Sequence, residues 1–75
     1  MKFRNKPKTI NAEQFVDENN TPRGVVRKMV GGFFVTTIQG QNVPVKLGEW
    51  IVQEPDGVHF YPIADEVFHK NYEAI

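Results

Sequence analysis

Two histidines and a set of carboxylates have the greatest chemical reach in this chain. His59 and His69 stand ten residues apart, with Asp65 and Glu66 between them. Imidazole nitrogens and carboxylate oxygens ligate zinc and similar metals, but zinc sites space their ligands in short recognisable pairs, and no such spacing occurs here. Both histidines read as surface or hydrogen-bonded groups. Glu49, Glu54 and Asp56 could pair as general acid and base, yet they fall at turns and strand edges, where solvation accounts for them. Nucleophilic catalysis has little to work with. The chain has no cysteine and no serine, which leaves only the hydroxyls of Thr9, Thr21, Thr36 and Thr37. The glycines match neither a P-loop nor a dinucleotide fingerprint and read as turn residues. No catalytic, metal-binding or cofactor-binding set is expected, and the chain reads as a non-enzyme.

Charge carries more weight. Nine basic residues balance nine acidic ones, but unevenly. Up to Lys28 there are seven basic residues (Lys2, Arg4, Lys6, Lys8, Arg23, Arg27 and Lys28) against Glu13, Asp17 and Glu18. Lys2, Arg4, Lys6 and Lys8 alternate along one side of an extended arm, and Arg27 and Lys28 are expected on a neighbouring strand. A solvated face is the first account of this cluster; contact with nucleic acid or an acidic protein surface is the other. Tyr61, or Phe34, would supply base stacking in the nucleic-acid case. The candidate partner-binding residues are therefore Lys2, Arg4, Lys6, Lys8, Arg27, Lys28 and Tyr61. The basic excess is modest beside what strong phosphate-backbone binding requires.

The elements that would position these residues are short. Seventy-five residues form one domain, 1–75. A chain of this size buries roughly 60% of its unfolded surface, and no disulfide can supplement that. Residues 1–7 read as a basic arm, extended and frayed at its start. Lys8 to Phe15 alternates as a first strand with Ile10, Ala12 and Gln14 on one side. A loop over Asp17–Pro22 follows. Val25–Lys28 reads as a short strand, with a helix as the competing assignment, and Gly31-Gly32 as a turn. Phe33–Gln39 is the surest strand by propensity. In Asn42–Leu47, Val43, Val45 and Leu47 share one face, and Pro44 places the strand at a sheet edge.

The centre of the pattern is Gly48–Ile63. Trp50-Ile51-Val52 and Val58–Tyr61 flank Glu54-Pro55-Asp56-Gly57, which reads as an antiparallel hairpin. Trp50 is expected in the core. Phe60 and Tyr61 point to opposite faces, one core and one partly exposed. Asp65 would cap one or two helical turns with Val67, Phe68 and Tyr72 apolar, and the chain end could then extend beside the first strand. The expected fold is a mostly β, small antiparallel barrel-like roll or curled sheet. It has five to six short strands, meander connections after Val25 and a short C-terminal helix or 3₁₀ turn.

The order of motifs resembles a widespread group of short phage and prophage proteins whose activity is not established. The resemblance rests on the basic start with Lys6-Pro7, the alternating Ile10–Phe15, Thr37-Ile38-Gln39-Gly40, Gly48-Glu49-Trp50-Ile51, Phe60-Tyr61-Pro62, Phe68 and Tyr72-Glu73. Such proteins often follow Tyr-Pro with Cys-Lys-Pro-Asp, where this chain has Ile63-Ala64-Asp65-Glu66. The resemblance implies a phage-encoded accessory protein in the cytoplasm of the bacterial host, and supplies no mechanism. Binding a host or phage protein is the favoured function, and nucleic-acid binding is the alternative. Weak homo-oligomerisation, through the Pro44 edge or through an exposed aromatic patch, is a further, subordinate expectation. No apolar run approaches the ~20 residues of a membrane span, so no membrane partner is expected.

Overall fold

A computed structural model describes residues 2–5 and 8–74. Lys6 lies outside the described residues. The protein is mostly β with one short C-terminal helix. Among the described residues the strands are β1 (Lys2–Asn5), β2 (Lys8–Gln14), β3 (Val26–Arg27), β4 (Phe33–Thr36), β5 (Asn42–Val45), β6 (Trp50–Gln53), β7 (Phe60–Ile63) and β8 (Glu73–Ala74), with helix α1 at Asp65–Asn71. One sheet runs β7-β6-β2-β1-β8 and the other β3-β4-β5. All pairings are antiparallel. Neither sheet closes on itself, so the architecture is the curled sheet and not the barrel. No helix of the described chain is long and apolar enough to cross a membrane.

The strand count exceeds the five or six expected, because the two chain ends pair. Residues 2–5 are not a loose arm. They form β1, which pairs with β2 on one side and β8 on the other. The expected meander connections hold from β3 to β5 and again from β6 to β7; between them, at Lys46–Gly48, the chain crosses to the larger sheet, where β6 enters between β2 and β7. Phe15 and Gly48 continue the β2–β6 ladder, with Gly48 N–H donating to Phe15 O at 2.7 Å and Phe15 N–H to Glu49 O at 2.9 Å.

Alternation along β6 builds two cores. Trp50 and Val52 join Ala12 and Phe68 beneath α1, with Ile10, Tyr61, Ile63 and Tyr72 packed around them. Ile51 points the other way, into Phe15, Phe33, Val35, Val45 and Phe60 between the two sheets. The Trp50 and Phe68 rings stack with centroids 4.2 Å apart and planes 5° from parallel. The indole N–H donates to Asp65 Oδ1 at 2.8 Å, and Gln14 Nε2 donates to the same oxygen at 3.2 Å. Asp65 is thus not the helix cap. Ala64 occupies that position without a side-chain bond, and the Asp65 carboxylate instead ties the start of α1 to β2 and β6. Leu47 and Val67, both expected among the apolar positions, are 49% and 45% exposed. The chain turns before Leu47 can follow Val45 inward, and the single buried stripe of α1 is Phe68.

Both long edge strands carry a proline at a harmless register position. Thr37 N–H donates to Gln41 O and Glu54 N–H to His59 O, each at 2.8 Å. Counting alternate bonded and non-bonded pairs from there makes Phe34↔Pro44 and Ile51↔Pro62 non-bonded. Each ring therefore faces the open edge, where an added strand would need an N–H.

Three outcomes follow. Trp50→Ala should cost roughly 3–5 kcal/mol, most of what a domain this small can hold, and appear as loss of a cooperative thermal transition. Asp65→Asn, which keeps an acceptor for the indole, should remain folded. Pro44→Thr should leave the monomer fold unchanged but raise self-association in sedimentation velocity; an unaltered monomer at high concentration would contradict the edge-blocking role.

Candidate functional site

The β3–β4 hairpin presents the most exposed apolar side chains. Its strands pair Val26 with Phe34 and Arg27 with Phe33, so the expected Val25–Lys28 strand is shorter than its sequence signal. Phe33 anchors the hairpin in the core, meeting Phe15 edge-on at 5.0 Å. The tip is closed by Lys28 N–H to Gly32 O at 2.9 Å and Gly31 N–H to Lys28 O at 3.1 Å. Gly31 and Gly32 have φ of 99° and 87°, a conformation that other residues adopt only with strain. This geometry fixes Met29 and Val30 at the apex, where Met29 is fully exposed and Val30 95% exposed. The Gly-Gly pair directly after an apolar dipeptide was the signal for such a tip; neither Met29 nor Val30 was named from sequence.

The basic residues do not form one face. Lys2 and Arg4 are in β1, opposite Asn11 and Thr9; the chain then reverses, and Lys8 opens β2 opposite Asn5. Arg27 and Lys28 belong to the other sheet and not to a neighbour of β1. Both are also engaged locally. The Arg27 guanidinium lies 5.0 Å from the Phe33 ring centroid and donates to Glu18 O at 3.0 Å, and Lys28 Nζ lies 5.9 Å from the Phe34 ring.

Tyr61 is half-buried in the α1-side core, as its alternation with the buried Phe60 implies. Burial pushes its phenol up to about 12, with the Tyr72 phenol beside it and the Glu54 carboxylate adding to the effect. Its ring is thus packed and not displayed for stacking on a base. The histidines sit in separate pairs: His69 Nε2 lies 2.9 Å from Asp65 Oδ1, and His59 Nδ1 contacts Asp56 Oδ2. Asp56 also accepts the Val58 and His59 amides through Oδ1, each at 3.0 Å. The His59 contact, followed by these backbone bonds, holds its carboxyl below the usual range. Asp56 is a turn-building residue. Among the described residues no three histidines and carboxylates gather as a metal site would require.

No family model matches the chain, and no curated protein or solved structure matches it.

The Tyr61 phenol provides a pH test. The folded state binds its proton more tightly than the unfolded chain does, so the associated stability is complete below about pH 10 and falls as pH rises toward 12. Denaturant midpoints measured across that window should decline, and the decline should shrink in Tyr61→Phe. A midpoint independent of pH there would contradict the buried placement.

Proposed function

We propose that this chain is a phage-encoded accessory protein that acts without catalysis, by binding a host or phage protein in the bacterial cytoplasm. The phage origin rests on the resemblance of its ordered motifs. The observation that carries the binding role is the Met29–Val30 apex, two apolar side chains held in solvent by a closed glycine turn. Apolar groups fixed outward in this way gain free energy only when a partner covers them. Strand addition is the less available route, since Pro44 and Pro62 face the two longest edges and the remaining edge strands, β3 and β8, are two residues each. The same edge chemistry speaks against a homo-oligomer through β5. Nucleic-acid binding has less support, because the basic residues divide between two sheets, Arg27 and Lys28 cover aromatic rings and Tyr61 is packed under α1.

A Met29→Asp/Val30→Asp double variant should melt at the temperature of the parent protein yet lose at least about tenfold in affinity, two buried apolar side chains being worth well over the 1.4 kcal/mol per decade. The reference is any host or phage protein cross-linked to the parent protein and identified by mass spectrometry. Val67→Asp, on exposed helix surface, is the control and should bind as the parent does. Retained capture by the double variant would remove the apex from the interface.

A further inference from the structure

The larger sheet is covered on both faces, by α1 over Trp50 and Val52 and by the smaller sheet over Ile51. The outer face of β3-β4-β5 stands in solvent. An antiparallel sheet with one wet face normally alternates buried apolar residues with outward polar ones. The inward half of that pattern holds, with Phe33, Val35 and Val45 buried. The outward half does not. Val26 pairs with Phe34 and Phe34 with Pro44, so an apolar row crosses all three strands. Val26 is 49% exposed, Pro44 is exposed and Phe34 half-buried. Thr36 and Asn42 form a polar row on one side of it, with Thr36 Oγ1 donating to Asn42 Oδ1 at 2.8 Å. On the other side Lys28 stands opposite Gly32, to whose carbonyl its N–H donates at 2.9 Å. One position past Phe33↔Val45, Lys46 falls in line with them. Gly32 has no side chain, and a Cβ there would meet nothing within 4 Å, so the two lysines flank an open notch.

Charge is partitioned in the same way. From Asn19 to Gly48 the chain has Arg23, Arg27, Lys28 and Lys46 and no acid, so all nine acidic residues lie outside the smaller sheet. Among the described residues neither Lys28 nor Lys46 forms an ion pair. Lys28 Nζ lies 5.9 Å from the Phe34 ring centroid, which puts its charge at the margin of the apolar row. A second copy packed face to face would set these lysines against one another with no carboxylate to meet them. A nucleic acid would find one aromatic ring and two lysines, short of the continuous basic track and stacking platform it needs. An added strand meets Pro44 on one edge and a two-residue strand on the other. What remains is an element laid over the face. Neighbouring strands are about 4.8 Å apart, so the row from Val26 to Pro44 spans about 10 Å, the width of an α-helix. The larger sheet is already covered in that way, by α1.

We propose that the outer face of β3-β4-β5 docks an acidic amphipathic helix of a partner protein, with its apolar stripe on Val26, Phe34 and Pro44 and its carboxylates on Lys28 and Lys46. The surface is distinct from the Met29–Val30 apex and does not depend on it. Three synthetic helical peptides of about five turns, titrated into the ¹⁵N-labelled protein, test it. The first carries a leucine stripe flanked by glutamates, the second has lysine for glutamate, and the third keeps the glutamates but has serine for leucine. The first should give saturable amide shifts centred on Val26, Lys28, Phe34 and Lys46. The second and third should each bind at least about tenfold more weakly, one through charge and one through lost apolar contact. Lys28→Gln/Lys46→Gln should remove the preference for glutamate over lysine and leave the spectrum of the larger sheet unchanged. No saturable shift with the glutamate–leucine peptide, equal affinity for all three, or saturation of the same amides by oligothymidylate alone would overturn the proposal.

Discussion

Trp50-Ile51-Val52 is buried on both of its faces, and the remainder of the chain is arranged to make that possible. A single strand cannot bury consecutive residues unless something covers each side. Here α1 covers Trp50 and Val52 through Phe68, and the three-stranded sheet covers Ile51 through Phe33, Val35 and Val45. Burying each of these three side chains is worth roughly 1.5–3 kcal/mol. In a small domain of marginal net stability, that makes β6 the element through which the two cores depend on each other. The Asp65 carboxylate adds direction to the packing. By accepting the indole of Trp50 and the amide of Gln14 it sets where α1 begins relative to both strands.

This arrangement consumes the aromatic residues as structure. Phe15, Phe33, Trp50, Phe60 and Phe68 are all core, Tyr61 and Tyr72 close the helix side, and Arg23, Arg27 and Lys28 lie over ring faces. What is left for interaction is on turns and on the outer face of the smaller sheet, with prolines turned toward the exposed long edges. The apolar side chains that stand furthest into solvent are those of the Met29–Val30 apex.

Much of this architecture was legible in the residues. The Glu54–Gly57 turn, the edge position of Pro44, the Gly31-Gly32 reversal, the opposite facing of Phe60 and Tyr61 and the buried Trp50 all follow from turn chemistry and period-two alternation. Local patterns failed where the determinant was distant. Alternating lysine and arginine made residues 2–5 resemble a solvated arm, yet their backbone pairs with β2 and with a two-residue strand some seventy positions away. Asp65 looked like a cap because a cap is a local device, whereas two of its partners, Gln14 and Trp50, come from β2 and β6. Arg27 and Lys28 appeared to extend the basic cluster because sequence does not say which sheet β3 joins. The cleft that Asn11, Glu13 and Gln53 line was invisible for the same reason, since it opens where the β2–β6 ladder ends.

The most direct test of β6 as the shared centre is native-state hydrogen exchange followed residue by residue. The amides of Trp50, Ile51 and Val52 should exchange only through global unfolding, and the slowest amides of β2 and of β4 should open at that same free energy. Exchange of the β6 amides by a local opening, with either core still protected, would show that the two cores stand independently and would contradict the account.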